Sequence, residues 1–411
     1  MSEMLGEGEQ PPIPGEGQTS PREDTALPIT QEIKDKKLSF EEASRSLKVL
    51  GKDESGIRYA YLMMSLMNRS LTDVSVILNF KHVLFLDLSG NYLTLDDLQV
   101  LVDMPFLILL KVDRNKVESA ALGYMPYLQV LSFNQNKIIE TNDIYQPLLD
   151  SLELHYNFIC NVQFNVEGLK NLKQLEMRSN HLLDLSGTFP TSLERLYLAR
   201  NQIKDINGED LAKLENLARL HLRDNDIRKL NGFSSSLKHL AYLNLRNNKI
   251  TKMRQCQKLQ CLKALRTLIV IGNPFWPDEP IPTGEEKPEE EAGDEEEAGE
   301  GELDNRKIDF RRVSLLVLLP WLTRINKDMV TMDERQLARE IKQDKYLDIM
   351  AESSSEEETD MPTTAEPEES MLDDYQIATS SEYDDDEEDE EEDEEENDEE
   401  GQSPPPSPIN M

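Results

Sequence analysis

The sequence predicts an α/β solenoid: a curved parallel sheet of about nine stacked repeats, each supplying one short strand. Three observations predict it. Asparagine recurs at 91, 115, 136, 157, 180, 201, 225, 248 and 273, with spacings between 21 and 25 residues, the range of a repeat built on a single supersecondary unit. Around each of them, apolar residues stand eight, five and three positions before and two after. These are Val83, Leu86, Leu88 and Leu93 in the first repeat and Leu193, Leu196, Leu198 and Ile203 in the sixth. The charge, finally, is segregated. Of 81 acidic residues against 44 basic, a net charge of −37, fourteen acids lie in 277–304 and twenty-seven in 351–411, which leaves 40 acidic and 43 basic residues elsewhere. A nearly neutral array thus carries two acidic appendages.

Each position in the repeat has a physical task. Residues five and three before the asparagine share one face of a strand, and that face is buried between neighbouring repeats. The asparagine side chain is expected to satisfy backbone groups at the turn that would otherwise be buried without partners. No repeat buries its apolar face alone, so neighbours stack into one long core. This pattern is the leucine-rich repeat. Run backwards, the same phase places Arg69 in the asparagine position, with Tyr61, Met64, Leu66 and Leu71 around it, as a degenerate opening repeat.

Taken in order, residues 1–30 read as a disordered tail and 31–58 as a helical N-terminal cap. Ser39-Phe40-Glu41-Glu42 has the form of a capping box, with Phe40, Ala43, Leu47 and Leu50 on one helical stripe and Gly51 as its stop. The repeats occupy 59–276. The segment 277–304, rich in Glu, Pro and Gly, reads as a disordered loop. Residues 305–328 form a C-terminal cap, with Trp276 and Trp321 as packing residues. Thr331-Met332-Asp333-Glu334 opens a helix within 329–350, and 351–411 is a disordered acidic tail.

Several functional classes find no support in the sequence. No run of about 18 apolar residues offers a membrane span, and Met1-Ser2-Glu3-Met4 does not begin a secretory leader. The three cysteines, Cys160, Cys256 and Cys261, cannot make a disulfide framework, so a reducing compartment is expected. The five histidines, His82, His155, His181, His221 and His239, never pair at helical spacing or with a cysteine. No catalytic centre, cofactor, metal or small-molecule substrate is therefore expected, and the site should be a surface.

The register fixes the solvent-facing strand positions at six, four and two before each asparagine. Repeats one to three present Phe85, Leu109 and Val130 side by side as an apolar row. Repeats five to eight present Arg178, Arg195, Arg219, Arg223 and Arg246 interleaved with Tyr197, His221 and Tyr242. Arginine with tyrosine is hot-spot composition, and like charges on adjacent strands are unfavourable without an acidic partner. An acidic protein surface is the expected ligand. The strongly negative whole-chain field argues against nucleic acid. Phosphorylation is expected at Ser353, Ser354, Ser355, Ser380 and Ser381, which precede acids, and at Ser403 and Ser407, which precede proline.

Gly272-Asn273-Pro274, then Phe310-Arg311-Arg312 and Leu319-Pro320-Trp321-Leu322, resemble the C-terminal cap of an intracellular leucine-rich-repeat class that includes a phosphatase regulator and a splicing protein. The strings Gly56-Ile57-Arg58-Tyr59-Ala60-Tyr61, Ser70-Leu71-Thr72-Asp73-Val74, Leu220-His221-Leu222-Arg223-Asp224-Asn225 and Asp333-Glu334-Arg335-Gln336, in that order, narrow the likeness. Over about residues 30–350 the chain resembles the radial-spoke family of leucine-rich-repeat proteins of motile cilia and flagella. That resemblance implies a non-enzymatic axonemal scaffold in the cytoplasmic cytoskeleton, with other radial-spoke proteins as partners. The acidic tail leaves open a second reading, a regulator of the acidic leucine-rich nuclear phosphoprotein kind that binds histones, and the cap a third, a phosphatase-regulatory subunit.

Overall fold

The computed structural model describes residues 35–53, 55–277 and 308–351. They form a main sheet of 13 strands and a small one in which Val162–Gln163 pairs with Gly187–Thr188. From Tyr59–Ser65 to Arg324–Ile325 every neighbouring pair is parallel. Each repeat contributes three residues to the sheet, such as Arg195–Tyr197 or Arg219–His221. The core follows the register. Leucine, isoleucine, valine, methionine and phenylalanine at the four apolar positions of repeats one to eight are 0–1% exposed. Phe275, in the ninth, is half buried against that core.

The asparagines form a ladder along this core. Asn115 donates from Nδ2 to the Val112 carbonyl of its own repeat (3.0 Å) and to the Leu88 carbonyl of the one before (3.1 Å). Its Oδ1 accepts from Leu93 N at 3.0 Å. The same three bonds recur at Asn136, Asn180, Asn201, Asn225, Asn248 and Asn273. Each asparagine thus closes its own turn and pins the preceding repeat. The residue just before it turns the chain through the left-handed region. Arg114, Gln135, Tyr156, Ser179, Arg200, Asp224 and Asn247 do so with φ between 52° and 55°, and glycine takes this place at Gly90 and Gly272. The strain is repaid locally: Arg114 N, for example, donates across to the Asn134 carbonyl at 2.8 Å.

Both ends of the array close with an antiparallel hairpin, and here the structure corrects the expected caps. The Ser39 capping box is present, but its helix covers only Phe40–Arg45. Leu47 and Leu50 are not on a helical stripe; Leu47–Lys52 is a strand running antiparallel to Tyr59–Ser65. A parallel strand at the end of a sheet leaves a row of unpaired amides, and a hairpin partner satisfies them better than a helix laid across the core. Asp53 sets the turn, its Oδ1 accepting from Ser55 N at 3.2 Å and Arg58 N at 3.3 Å, with Gly56 at φ 70°. In the degenerate repeat, Met64, Leu66 and Leu71 are buried as expected, whereas Tyr61 lies exposed on the hairpin.

At the other end the helix Phe310–Leu318 covers the core, and Arg324–Ile325 pairs with Asp328–Met329. Buried Arg312 ties this cap together. It donates to Glu334 Oε1 (2.5 Å) and Oε2 (3.2 Å), to the Ile325 carbonyl (2.9 Å) and to the Met329 carbonyl (2.9 Å). Such a satisfied bidentate pair is costly to break from either side. Asn326 ends the ladder, its Oδ1 accepting from Val270 N and Ile271 N. The Arg311 guanidinium lies 5.1 Å from the Trp276 ring and the Lys263 ammonium 4.1 Å from that of Trp321, so both tryptophans pack in the cap. The single helix expected over 329–350 is two, Met332–Glu340 and Lys342–Ala351, broken at Ile341 (φ −92°, ψ 5°).

Candidate functional site

The three-residue strands place the first and third side chains of each on the concave face. Phe85, Leu109 and Val130 are register neighbours and half buried. Met63 pairs with Phe85 and extends the apolar row by one strand. Extending the register back to Arg69 would have found it. Arg195 pairs with Arg219 on adjacent strands, as expected.

The aromatic residues among them depart from expectation. Tyr197, His221 and Tyr242 do not project into solvent; they are 7%, 9% and 8% exposed. Their rings stack on one another, Tyr197 to His221 at 4.5 Å and His221 to Tyr242 at 4.7 Å between centroids. The Arg178 guanidinium lies 5.1 Å from the Tyr197 ring and that of Arg219 5.5 Å from the Tyr242 ring. Flat rings on neighbouring strands, about 4.8 Å apart, gain more by stacking than by standing in water.

Electrostatics follow from this packing. Burial, with Arg178 and Arg219 nearby, pushes the His221 pKa down to about 3 against a pull from Glu176, so the ring is neutral. Arg178 has a carboxylate near it, Glu176 Oε2 at 3.9 Å, and Arg223 Nε lies 3.0 Å from Asp224. Arg195 and Arg219 form no ion pair among the described residues. The buried Nε of Arg195 and Nε2 of His221 have no hydrogen-bond partner there either.

A polar network on repeats two to five was not legible from charge counting. Ser132 Oγ stands 2.6 Å from Asp113 Oδ1 and 2.8 Å from Glu153 Oε2. Asn134 donates from Nδ2 to Glu153 at 2.9 Å, while its Oδ1 accepts from His155 N at 2.8 Å. One hydroxyl proton cannot serve two carboxylates, and burial raises the Asp113 pKa, which favours an extra proton in this group. His155 Nε2 then meets Glu176 Oε2 at 2.7 Å. Burial acts to raise the Glu176 pKa, but His155, Arg178 and Gln174 outweigh it and hold it at about 2.

Among the described residues no group of three or more metal-type ligands comes together, and no helix is long and apolar enough to cross a membrane. Ser353, Ser354, Ser355, Ser380, Ser381, Ser403 and Ser407 lie outside the described residues, as does the acidic segment between Pro277 and Ile308.

The leucine rich repeat family model matches residues 170–227 and 215–275. Leucine-rich repeat-containing protein 23 of Homo sapiens is 33% identical over 353 residues, covering 86% of this chain and 89% of that protein. The Xenopus tropicalis protein is 37% identical, covering 74% and 78%. That of Bos taurus is 33% identical, covering 56% and 66%, so this alignment spans about two thirds of the relative. With its nine repeats and their register in place, the chain belongs to the leucine-rich repeat-containing protein 23 family.

Proposed function

We propose that this protein is a non-catalytic scaffold of the motile axoneme, a structural component of the radial spoke, and that the concave face of repeats five to eight holds an acidic surface of a neighbouring spoke protein. The observation that carries the binding role is the pair Arg195 and Arg219, side by side on adjacent strands and without an acidic partner among the described residues. Two cations carried by strand positions about 5 Å apart repel, and an incoming carboxylate relieves that repulsion. The apolar row of Met63, Phe85, Leu109 and Val130 supplies a second, uncharged contact. The axonemal assignment rests on family membership together with the radial-spoke resemblance of the sequence.

Two measurements test this reading. Immunolocalisation is expected to find the protein along cilia or flagella; a purely nuclear signal overturns the axonemal assignment. Changing Arg195, Arg219 and Arg223 together to Ala is expected to weaken capture of axonemal partners by about 2 kcal/mol or more, with salt-sensitive binding in the unaltered chain. Unchanged capture removes the concave site. The acidic run 384–400, sixteen acids in seventeen residues, favours histone binding as the second reading. Removal of 351–411 abolishes histone binding on that reading and leaves axonemal anchoring intact on the first.

A further inference from the structure

We infer that Arg195, Arg219 and His221 form a slot for a single carboxylate, taking one Asp or Glu side chain of an acidic peptide segment. The inference rests on repeats five to eight being a binding face, and it names the atoms that read the ligand. The two side chains leave strand positions that are direct register neighbours, and the Arg219 guanidinium rests 5.5 Å from the Tyr242 ring on the next strand, so a carboxylate seated over these positions lies within the length of both side chains. A carboxylate there offers each a lone pair, the geometry that makes Arg–carboxylate bonds short and directional.

His221 is the unexplained member. It stands on the same strand as Arg219, two residues on, clamped between the Tyr197 and Tyr242 rings. Its Nε2 is buried with no hydrogen-bond partner. A buried polar nitrogen without a partner is expensive, and aromatic stacking alone would be served as well by phenylalanine. A neutral imidazole carrying its proton on Nε2 donates to an anion without adding a third positive charge to an already repelling pair. The Nε of Arg195, on the adjacent strand, is likewise buried and without a hydrogen-bond partner, a further unused donor on this face. Carboxylate fits better than phosphate here. Two of the other three arginines of this region have carboxylates beside them, Arg178 near Glu176 and Arg223 near Asp224, and Arg246 stands two repeats on from Arg195 at a different register position, so the charge at the slot is that of two arginines.

The test uses the full chain and an end-blocked hexaglutamate peptide, with hexaglutamine as the uncharged control. Calorimetric titration is expected to detect hexaglutamate and not hexaglutamine. His221→Phe keeps the ring stack and loses the donor, and is expected to weaken binding roughly fivefold to tenfold. His221→Gln restores a neutral donor and recovers part of that loss. Arg195→Ala with Arg219→Ala is expected to abolish measurable binding. In the unaltered chain, nitrogen-15 NMR is expected to show the His221 Nε2 resonance shifting on titration. Equal affinity of His221→Phe, or a His221 resonance that does not move, overturns the slot; so does failure of hexaglutamate to bind. If the slot fails while the triple arginine variant still loses its axonemal partners, the acidic-surface reading stands; if both fail, the concave face is not the site.

Discussion

Repeats one to four and repeats five to eight are built on the same ladder and treat their concave charges in opposite ways. In the first half the acids are consumed internally: Asp113 and Glu153 share Ser132, Asn134 links that group to His155, and His155 meets Glu176. In the second half Arg195 and Arg219 stand together with no carboxylate among the described residues. A network that satisfies itself stabilises the fold and offers little to a ligand, whereas unmatched donors cost stability and gain it back on binding. The contrast separates a structural half from a recognition half on one continuous sheet.

The largest expected effect tests what the halves share. Asn157→Ala in the first and Asn225→Ala in the second should each cost about 3–5 kcal/mol, because each leaves a buried backbone N–H without a partner and takes one of two donors from each of two carbonyls. Urea unfolding at pH 7 measures both; a much smaller loss in one half would show that the ladder is not equally used.

Glu176 stands where the halves meet. Its folded pKa of about 2 lies below its ordinary 4.5, so it contributes stability that is fully present above pH 4.5 and lost as pH falls through 2. Glu176→Gln should cost about 2–3 kcal/mol at pH 7 and only a few tenths of a kcal/mol near pH 2. A cost that does not shrink in acid would remove the His155–Glu176 pair from the account.

A smaller effect separates the halves directly. Ser132→Ala should destabilise by about 1–2 kcal/mol, while Arg195→Ala changes stability by less than about 0.5 kcal/mol, or raises it. Reversal of that order in thermal melts would reverse the assignment of roles. The smallest effect is at Asp113. Its pKa is raised by burial, so its favourable contribution is complete below pH 3.8 and lost as pH rises through the folded value. Asp113→Asn should therefore match the unaltered chain at pH 3 and exceed it by a few tenths of a kcal/mol at pH 7, opposite in sign to Glu176→Gln.

The repeat register was fully legible, because four apolar positions and one asparagine recur in every unit and three-dimensional burial simply repeats them. The arginine pair was legible for the same reason: a register neighbour in sequence phase is a neighbour in the sheet. Stacking was not. Nothing in the spacing of Tyr197, His221 and Tyr242 shows that their rings turn toward one another rather than outward. The terminal hairpins were also missed, since Phe40, Ala43, Leu47 and Leu50 obey a helical period while the competing demand, an unpaired sheet edge, belongs to the assembled array. The Ser132 network escaped because its acids are spread over three repeats and come together only through the sheet.

The ladder also has a direction, and this bears on how the chain is made. Each asparagine carbonyl accepts from the repeat before it, and Asn326 does the same for repeat nine. As the chain leaves the ribosome, the newest repeat always lacks the acceptor that its successor will bring. Closure must therefore trail synthesis by one unit, and the array is sealed only when Asn326 emerges. A chain halted anywhere between the first repeat and the cap would carry one unfinished turn at its growing end, the same defect wherever the stop occurs.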